Sequence, residues 1–271
     1  MPSDFSTWRA FESFANRVRQ TERYLQSPDS TEFLDTLLVT AAKRARILES
    51  GAFAWRAQLG FDVYEEEEHG TLIHMEVPFK SERMKPPRVG QPEGRINPLG
   101  LPALYMATTE ATAIAEVRPW VGKLVSVAQM KVMRDLKVLD CSSEHSDQFI
   151  FYPEEPQDPR IREEAVWRDL CRALSEPITT DAAHVDYIPT QVVAEYLRSY
   201  GFDGVVYKSL LGEGSNVALF DIDSADVVNC ILQRVRAVKF EHQQASNPYY
   251  VRKHYPEQSE HVVMASRVPP Q

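Results

Sequence analysis

Residues 94–119, GRINPLGLPALYMATTEATAIAEVRP, combine a loop, a strand and a helix in one stretch. The first part is punctuated by glycine and proline, which is typical of a loop. A short apolar segment that ends near Tyr105 predicts a strand, and the residues after Thr109 predict a helix that carries one acid, Glu116. An aromatic ring and a carboxylate are thereby placed on neighbouring elements, which is the layout of a pocket wall.

The predicted helix also has two distinct faces. If it begins near Thr109, Glu116 lies on the same face as Thr112 and Ala113. The opposite face carries the apolar residues Ala111, Ile114 and Ala115. We expect this apolar face to pack on the core and the acid to point away from it.

Composition narrows the class of protein. The chain has 271 residues, of which 43% are hydrophobic and 25% charged, as is ordinary for a soluble globular protein. A net charge of -9 argues against broad binding to nucleic acid or to an anionic membrane, and favours a small-molecule or protein partner. No apolar run is long enough to span a bilayer, and the N-terminus lacks the pattern of a signal peptide. The cysteines are isolated from one another, so we expect a reducing cytoplasm.

The N-terminal part of the chain differs in pattern from the rest. Residues 3–48 have apolar positions at helical spacing, with Ser30 and Thr31 expected to begin a second helix. Strands are predicted at 72–77 and 123–127, separated by a long proline-bearing loop over 78–102. A loop of that length inside a compact domain is usually functional or disordered.

The second half is predicted to alternate helices with strands. Helices are expected at 160–175 and at 190–200, the second beginning at Thr190, and strands at 204–208 and 217–220. These patterns divide the chain into an N-terminal helical extension (1–49), a main domain (50–243) and a polar C-terminal tail (244–271).

Several common site types are absent from the sequence. Gly212-Glu213-Gly214 follows a strand but precedes another strand, so it predicts a turn and not a dinucleotide-binding loop. The acidic run 65–68 is expected to be a solvated loop or helix start. His69 and His74 are five residues apart, which on a strand places them on opposite faces, so no metal site is expected. No sequence of the phosphate-loop, zinc-protease or serine-hydrolase type occurs.

A dispersed set of polar residues remains, namely Arg56, Tyr105, Glu116 and Ser209. Each taken singly has an ordinary structural interpretation: a surface cation, a core aromatic, a solvated acid and a turn residue. Only their combination and order favour a site.

In that order they match a known pattern, and the chain resembles the RES-domain family, named for its arginine, glutamate and serine. The resemblance spans roughly residues 50–225. It is carried by Trp55–Ala57, Arg83–Pro87, Gly94–Ala107, Thr112–Pro119, Tyr187–Gln191, Gly204–Ser209, Asn216 and Leu219–Phe220.

The resemblance implies an α+β fold similar to that of ADP-ribosyltransferases, with a curved mixed sheet and flanking helices, to which this chain adds the N-terminal helical extension. Family members include toxins of toxin-antitoxin pairs that cleave NAD. Cleavage of the nicotinamide-ribose bond develops positive charge on the ribose, which a fixed carboxylate stabilises; this role falls to Glu116. The other roles are a phosphate-binding arginine, an aromatic wall, a hydroxyl that orients the acid or the ribose, and further substrate contacts. They fall to Arg56, Tyr105, Ser209, Arg83, Arg95 and Asn216.

NAD is then a substrate, and no bound cofactor is implied. Water, phosphate or a macromolecule could accept the ADP-ribose group, so a hydrolase, a phosphorylase and an ADP-ribosyltransferase all stay open, as does a catalytically silent module that binds a nucleotide or a partner. An antitoxin is implied as a partner, and self-association is left open. Gln58 stands where a second basic residue after Arg56 would complete an Arg-Ala-Arg sequence.

Overall fold

The structure is a computed structural model that describes residues 4–69, 71–143, 150–177 and 183–242. The chain divides into two compact units, Met1–Arg236 and Ala237–Gln271. In the second unit the described residues, 237–242, form neither helix nor strand. The predicted polar tail, 244–271, lies outside the described residues, and the predicted domain division stays a prediction.

The described residues form helices before, between and after the first strands of the chain. They are α1 (Ala10–Gln20), α2 (Pro28–Ala41), α3 (Ser81–Met84), α4 (Glu110–Glu116), α5 (Pro159–Ser175), α6 (Ala183–Asp186) and α7 (Ile188–Ser199). None of these helices has the length and apolar character that a membrane crossing requires.

The strands form one large sheet and one separate hairpin. They are β1 (Ala45–Leu48), β2 (Phe53–Leu59), β3 (Asp62–Glu68), β4 (Thr71–Val77), β5 (Leu104–Ala107), β6 (Leu124–Val132), β7 (Leu136–Cys141), β8 (Gly204–Lys208), β9 (Ser215–Leu219) and β10 (Ala225–Arg234). The large sheet has the order β1-β7-β8-β9-β5-β2-β6-β10, and β3 pairs with β4 alone. Among the named strands of the described residues, β7 and β8 are the one parallel pair in the large sheet, so the sheet is mixed.

Helices cover the sheet on both faces. Residues of α1, α2, α5 and α7 form one hydrophobic cluster with strand residues such as Leu139 and Val205. Alternate strand residues such as Met106 and Val217 form a second cluster with Met84 of α3. Because successive side chains of a strand point to opposite faces, the two clusters lie on opposite sides of the sheet. The predicted α+β architecture, with a mixed sheet, flanking helices and N-terminal helices, is confirmed.

The N-terminal prediction needs two corrections. Residues Ala45–Leu48, predicted as the end of a helix, form β1 and pair antiparallel with β7. The second helix begins at Pro28 and not at Ser30, because the Ser27 hydroxyl accepts a hydrogen bond from the backbone nitrogen of Ser30 and caps the helix one turn earlier.

Two further predictions were wrong, one about the acidic run and one about the start of a helix. The acidic run 65–68 belongs to strand β3, where the pairing with β4 extends through all four positions. Helix α7 begins at Ile188, and the Thr190 hydroxyl is not its cap; it donates to a backbone carbonyl, with those of Tyr187 and Arg95 within reach.

Candidate functional site

The large sheet opens between β2 and β5. These strands pair at one position only, Trp55 with Ala107. On their other edges, β2 pairs with β6 and β5 with β9 along their full lengths. Backbone groups along the opening therefore need partners other than a neighbouring strand.

Arg56 supplies one of those partners. Its Nη1 donates a hydrogen bond of 2.8 Å to the carbonyl oxygen of Tyr105, which joins β2 to β5 through a side chain. The Nε of Arg56 is buried and has no hydrogen-bond partner among the described residues. Burial lowers the pKa of Arg56 to about 10. A half-buried, incompletely satisfied guanidinium that lines a cleft attracts an anion, because desolvated charge without a partner is costly.

A cleft of about 320 Å³ lies at this opening. Five of the residues predicted for the site line it, namely Arg56, Arg95, Tyr105, Glu116 and Asn216. Its remaining lining includes the aromatic rings of Trp55, Tyr187 and Tyr207. The cleft thus combines a cation, a carboxylate and flat apolar surfaces.

Glu116 is held by two donors, one from the turn after β8 and one from β9. The Ser209 hydroxyl and the Asn216 side-chain nitrogen each donate a hydrogen bond of 2.7 Å to the same oxygen, Oε1 of Glu116. The second oxygen, Oε2, accepts no hydrogen bond from the described residues. One oxygen therefore fixes the carboxylate while the other stays available in the cleft.

The orientation of α4 differs in part from the sequence-based expectation. Its buried residues are Thr112 and Ala113, on the same face as Glu116, whereas Ala111 is exposed and Ile114 is partly buried against the core. The small side chains allow the helix to approach the sheet closely. The acid consequently lies on the sheet-facing side of the helix, where it reaches Ser209 and Asn216.

The turn between β8 and β9 is fastened to the start of α4. The Thr112 hydroxyl accepts a hydrogen bond of 3.0 Å from the backbone nitrogen of Gly214, and the Thr108 hydroxyl accepts one of 2.9 Å from Ser215. A Cβ at Gly214 would lie 2.7 Å from both threonine oxygens. This close fit brings Ser209 and Asn216, on either side of the turn, to Glu116.

Tyr105 is both a wall of the cleft and an anchor of the preceding loop. Its hydroxyl donates to Asn97 Oδ1 at 2.7 Å and accepts from the backbone nitrogen of Ile96 at 3.1 Å. Burial raises the pKa of Tyr105 well above its usual value, so the phenol stays neutral. Gln191 of α7 donates to the backbone carbonyls of Gly94 and Asn97 and fixes the loop from the other side.

Arg95 lines the cleft, but its guanidinium is engaged elsewhere. It donates to the backbone carbonyls of Ala173 and Glu176 at the end of α5, at 3.2 Å and 2.5 Å. These carbonyls have no partner within the helix, so the arginine completes the C-terminus of α5.

Arg83 is not brought to the cleft. Its guanidinium lies 3.5 Å from the ring centre of Phe79 and forms a 3.8 Å ion pair with Asp62. Its carbonyl oxygen accepts a hydrogen bond from the side chain of Gln58. Gln58 occupies the position at which a second basic residue would complete an Arg-Ala-Arg sequence with Arg56.

Sequence reasoning missed several contributors to the site. Trp55, Tyr187 and Tyr207 line the cleft, and Thr112, Asn97 and Gln191 hold its walls. The quoted segments around Trp55, Tyr187 and Gly204 contained some of these residues, but no local pattern indicated which side chains would face the opening.

The chemistry available in the cleft is that of charge stabilisation. Among the described residues no cluster of three or more histidine, cysteine or acidic side chains could hold a metal ion. A carboxylate with one available oxygen can stabilise a developing positive charge, and a guanidinium can bind phosphate oxygens. Aromatic walls suit a flat heterocycle.

Comparison with known proteins gives two similarities. A model of the RES domain family matches residues 72–242, which is more than half of the chain; Glu116, Ser209 and Asn216 lie within the match, and Arg56 precedes it. A chain of the "M.tuberculosis MbcT-MbcA toxin-antitoxin complex" crystal structure is similar with 17% identity, a TM-score of 0.37, and coverage of 74% of this chain and 94% of that one. No curated protein matches the sequence.

The family match includes the strand that carries Tyr105, the helix that carries Glu116 and the turn that carries Ser209. On this match the chain belongs to the RES-domain family.

Proposed function

We propose that the protein consumes NAD by cleaving its nicotinamide-ribose bond. The observation that carries the proposal is the carboxylate of Glu116, fixed through Oε1 by Ser209 and Asn216 with Oε2 available in the cleft. As the bond to nicotinamide breaks, positive charge develops on the ribose. A carboxylate that is already oriented stabilises this charge without reorganising.

The remaining walls of the cleft fit the other parts of the substrate. The half-buried guanidinium of Arg56 suits the pyrophosphate, because it lines the cleft and its Nε lacks a partner among the described residues. The aromatic rings of Trp55, Tyr105 and Tyr207 suit the nicotinamide and ribose faces. NAD is in this proposal a substrate, and the reaction requires no bound cofactor.

Water or inorganic phosphate is the proposed acceptor, so the reaction is hydrolysis or phosphorolysis. By its family, we propose that the protein is a toxin that acts in the cytoplasm, arrests growth by depleting NAD, and is restrained by a cognate antitoxin. Transfer to a protein or nucleic acid is the competing outcome of the experiment below.

The test is to incubate the purified protein with NAD, with and without phosphate, and to identify the products by chromatography. We expect nicotinamide release, with ADP-ribose or its phosphorylated form as the second product. Glu116→Gln keeps an oxygen that can accept both hydrogen bonds but removes the charge, and we expect it to lower the rate about 100-fold.

Arg56→Ala is expected to raise the KM for NAD, and Arg88→Ala is the matched control. Arg88 forms its ion pair with Asp223 and is not part of the cleft lining. If the wild-type protein consumes no NAD, the proposal is wrong. Label from NAD on a macromolecule would instead establish a transferase.

A further inference from the structure

Strands β3 and β4 form a hairpin that is separate from the large sheet. Each of the seven residues of β3 is paired with one of β4, and neither strand is hydrogen-bonded to a third strand in the described part of the chain. The outer edge of β3 therefore presents its backbone donors and acceptors without a strand partner. Such an edge is a template for the addition of another strand.

Packing within the protein does not account for the hairpin. None of its residues with a described side chain is buried. Val63, Tyr64 and Leu72 are 54%, 51% and 54% exposed, and Met75 is 40% exposed. A two-stranded hairpin without a covered face is at best marginally stable in water. A surface with no binding role would not usually carry four exposed apolar side chains on one hairpin.

The two faces of the hairpin differ in character. Residues that are directly opposite one another in an antiparallel pair share a face. One face carries Asp62 with Val77, Tyr64 with Met75 and Glu66 with Ile73, and these pairs hold four apolar residues and two carboxylates. The other carries Val63 with Glu76, Glu65 with His74 and Glu67 with Leu72, and these pairs hold three carboxylates, two apolar residues and a histidine.

The charge of the hairpin has one sign. Residues 62–77 contain six carboxylates and neither lysine nor arginine. Near the base, Asp62 and Glu76 form ion pairs with Arg83 and Arg234. Farther along, Glu66 and Glu67 form no ion pair with the described residues. A second copy of the hairpin, a nucleic acid or an anionic membrane would be repelled by this charge.

We propose that the outer edge of β3 binds an extended segment of a partner protein as a third strand. The segment alternates apolar residues with lysine or arginine. Its apolar side chains extend the face of Tyr64 and Met75, and its cations extend the face of Glu65 and Glu67. Backbone hydrogen bonds supply affinity, and the two faces supply specificity.

A labelled peptide, acetyl-Lys-Val-Lys-Tyr-Lys-Val-Lys-amide, is the probe, and binding to the full-length protein is measured by fluorescence anisotropy at low ionic strength. Glu65→Gln/Glu67→Gln is expected to weaken binding about tenfold, since two cross-strand charge pairs are lost. Glu154→Gln/Glu164→Gln removes two exposed carboxylates elsewhere and is expected to bind the peptide as the wild-type protein does.

N-methylation separates strand addition from simple attraction of charge. In a strand, backbone groups of alternate residues point to the same edge. Two peptides are compared, one methylated at the backbone nitrogens of all lysines and the other at the backbone nitrogens of all apolar residues, and both keep every charge. Strand addition predicts that one of these peptides loses binding while the other retains it. The binding peptide should also slow amide hydrogen exchange in residues 62–68.

Three results would overturn the proposal. The first is that the unmodified peptide does not bind. The second is that both methylated peptides bind like the parent, which would indicate ionic adsorption only. The third is that the Glu154 and Glu164 substitutions weaken binding as much as those of Glu65 and Glu67.

Discussion

At the scale of single residues, one carboxylate ties the beginning of β8 to β7. Asp203 accepts a hydrogen bond of 2.7 Å from Arg134 and one of 2.8 Å from the backbone nitrogen of Lys137. Partial burial opposes ionisation of Asp203, but these hydrogen bonds outweigh it, and its pKa lies below the usual value. The ionised form of Asp203 therefore stabilises the folded state.

Asp203→Asn should consequently lower stability in a pH-dependent way. Because the folded-state pKa lies below the unfolded value of about 3.9, the stabilisation is complete above that value and is lost as the pH falls through the folded-state pKa. Urea denaturation should show a difference between wild type and variant at pH 7 that narrows in acid. Asp62→Asn, which removes a 3.8 Å ion pair, is the control. A gap of constant size in acid would contradict this account.

The roles of the arginines show how far sequence can be taken at this scale. The stretch 94–119 and the resemblance identified Arg56, Arg83 and Arg95 as cations of interest. Their partners lie far away in the chain: Arg95 donates to carbonyls 78 to 81 residues distant, and Arg56 to one 49 residues distant. Local sequence patterns do not reveal contacts between residues so far apart in the chain. The sequence therefore could not show that Arg56 joins the two strands at the cleft whereas the Arg95 guanidinium caps α5.

At the scale of elements, the turn between β8 and β9 acts on Glu116 through its fit against α4. Gly212 and Gly214 both approach Thr112 so closely that a Cβ would lie 2.7 Å from the threonine oxygen. The turn therefore sets the distance between Ser209 and Asn216, at its two ends, and the helix that carries Glu116.

Gly214→Ala is expected to push this turn away from α4 and to weaken both hydrogen bonds to Glu116. If the proposed reaction holds, NAD consumption should fall about tenfold or more, with a modest loss of stability, because orientation of the carboxylate is lost. Product formation and urea denaturation are measured on the same preparation.

Gly90→Ala is the matched control for this substitution. A Cβ at Gly90 meets nothing within 4 Å, although its φ of +77° makes alanine strained there. We expect a loss of stability of about 1 kcal/mol without a corresponding loss of activity. Equal losses of activity in the two variants would argue against a role for the turn in placing Glu116.

Element boundaries show why some sequence predictions succeeded and others did not. The extents of α5 and β8 agreed closely with the apolar periodicity and turn residues of their segments. Segment β1 was assigned wrongly because its pairing with β7 is long-range. Segment β3 was assigned wrongly because hairpin pairing with β4 outweighs the low strand propensity of its acidic residues. The core-facing side of α4 was predicted wrongly in part because the small residues Thr112 and Ala113 approach the sheet most closely, while Ile114 is only partly buried.

At the scale of the whole molecule, the N-terminal helices share the core of the sheet. Phe14 is fully buried and stacks on Phe33 with ring centres 4.5 Å apart. Both belong to the same hydrophobic cluster as Leu139 of β7. The Trp167 indole of α5 donates a 3.0 Å hydrogen bond to Thr40 of α2.

Phe14→Ala should therefore destabilise the sheet as well as the helices. We expect a loss of about 3–5 kcal/mol in a single cooperative transition, from the cavity and the lost burial. Helical and aromatic circular dichroism signals, followed together in urea, provide the measurement. Tyr24→Ala, at a side chain 87% exposed, should have little effect. Separate transitions for the two signals would show that the N-terminal helices fold independently.

The single pair that joins β2 to β5 has a mechanical consequence. On one side of it lie β1, β7, β8, β9 and β5, and on the other β2, β6 and β10. The backbone hydrogen-bond ladder is therefore weakest between β2 and β5, where one residue pair joins the two groups of strands. The Arg56 guanidinium adds a side-chain hydrogen bond across the same gap, so the wall of the cleft and the link between the two groups of strands depend on one residue.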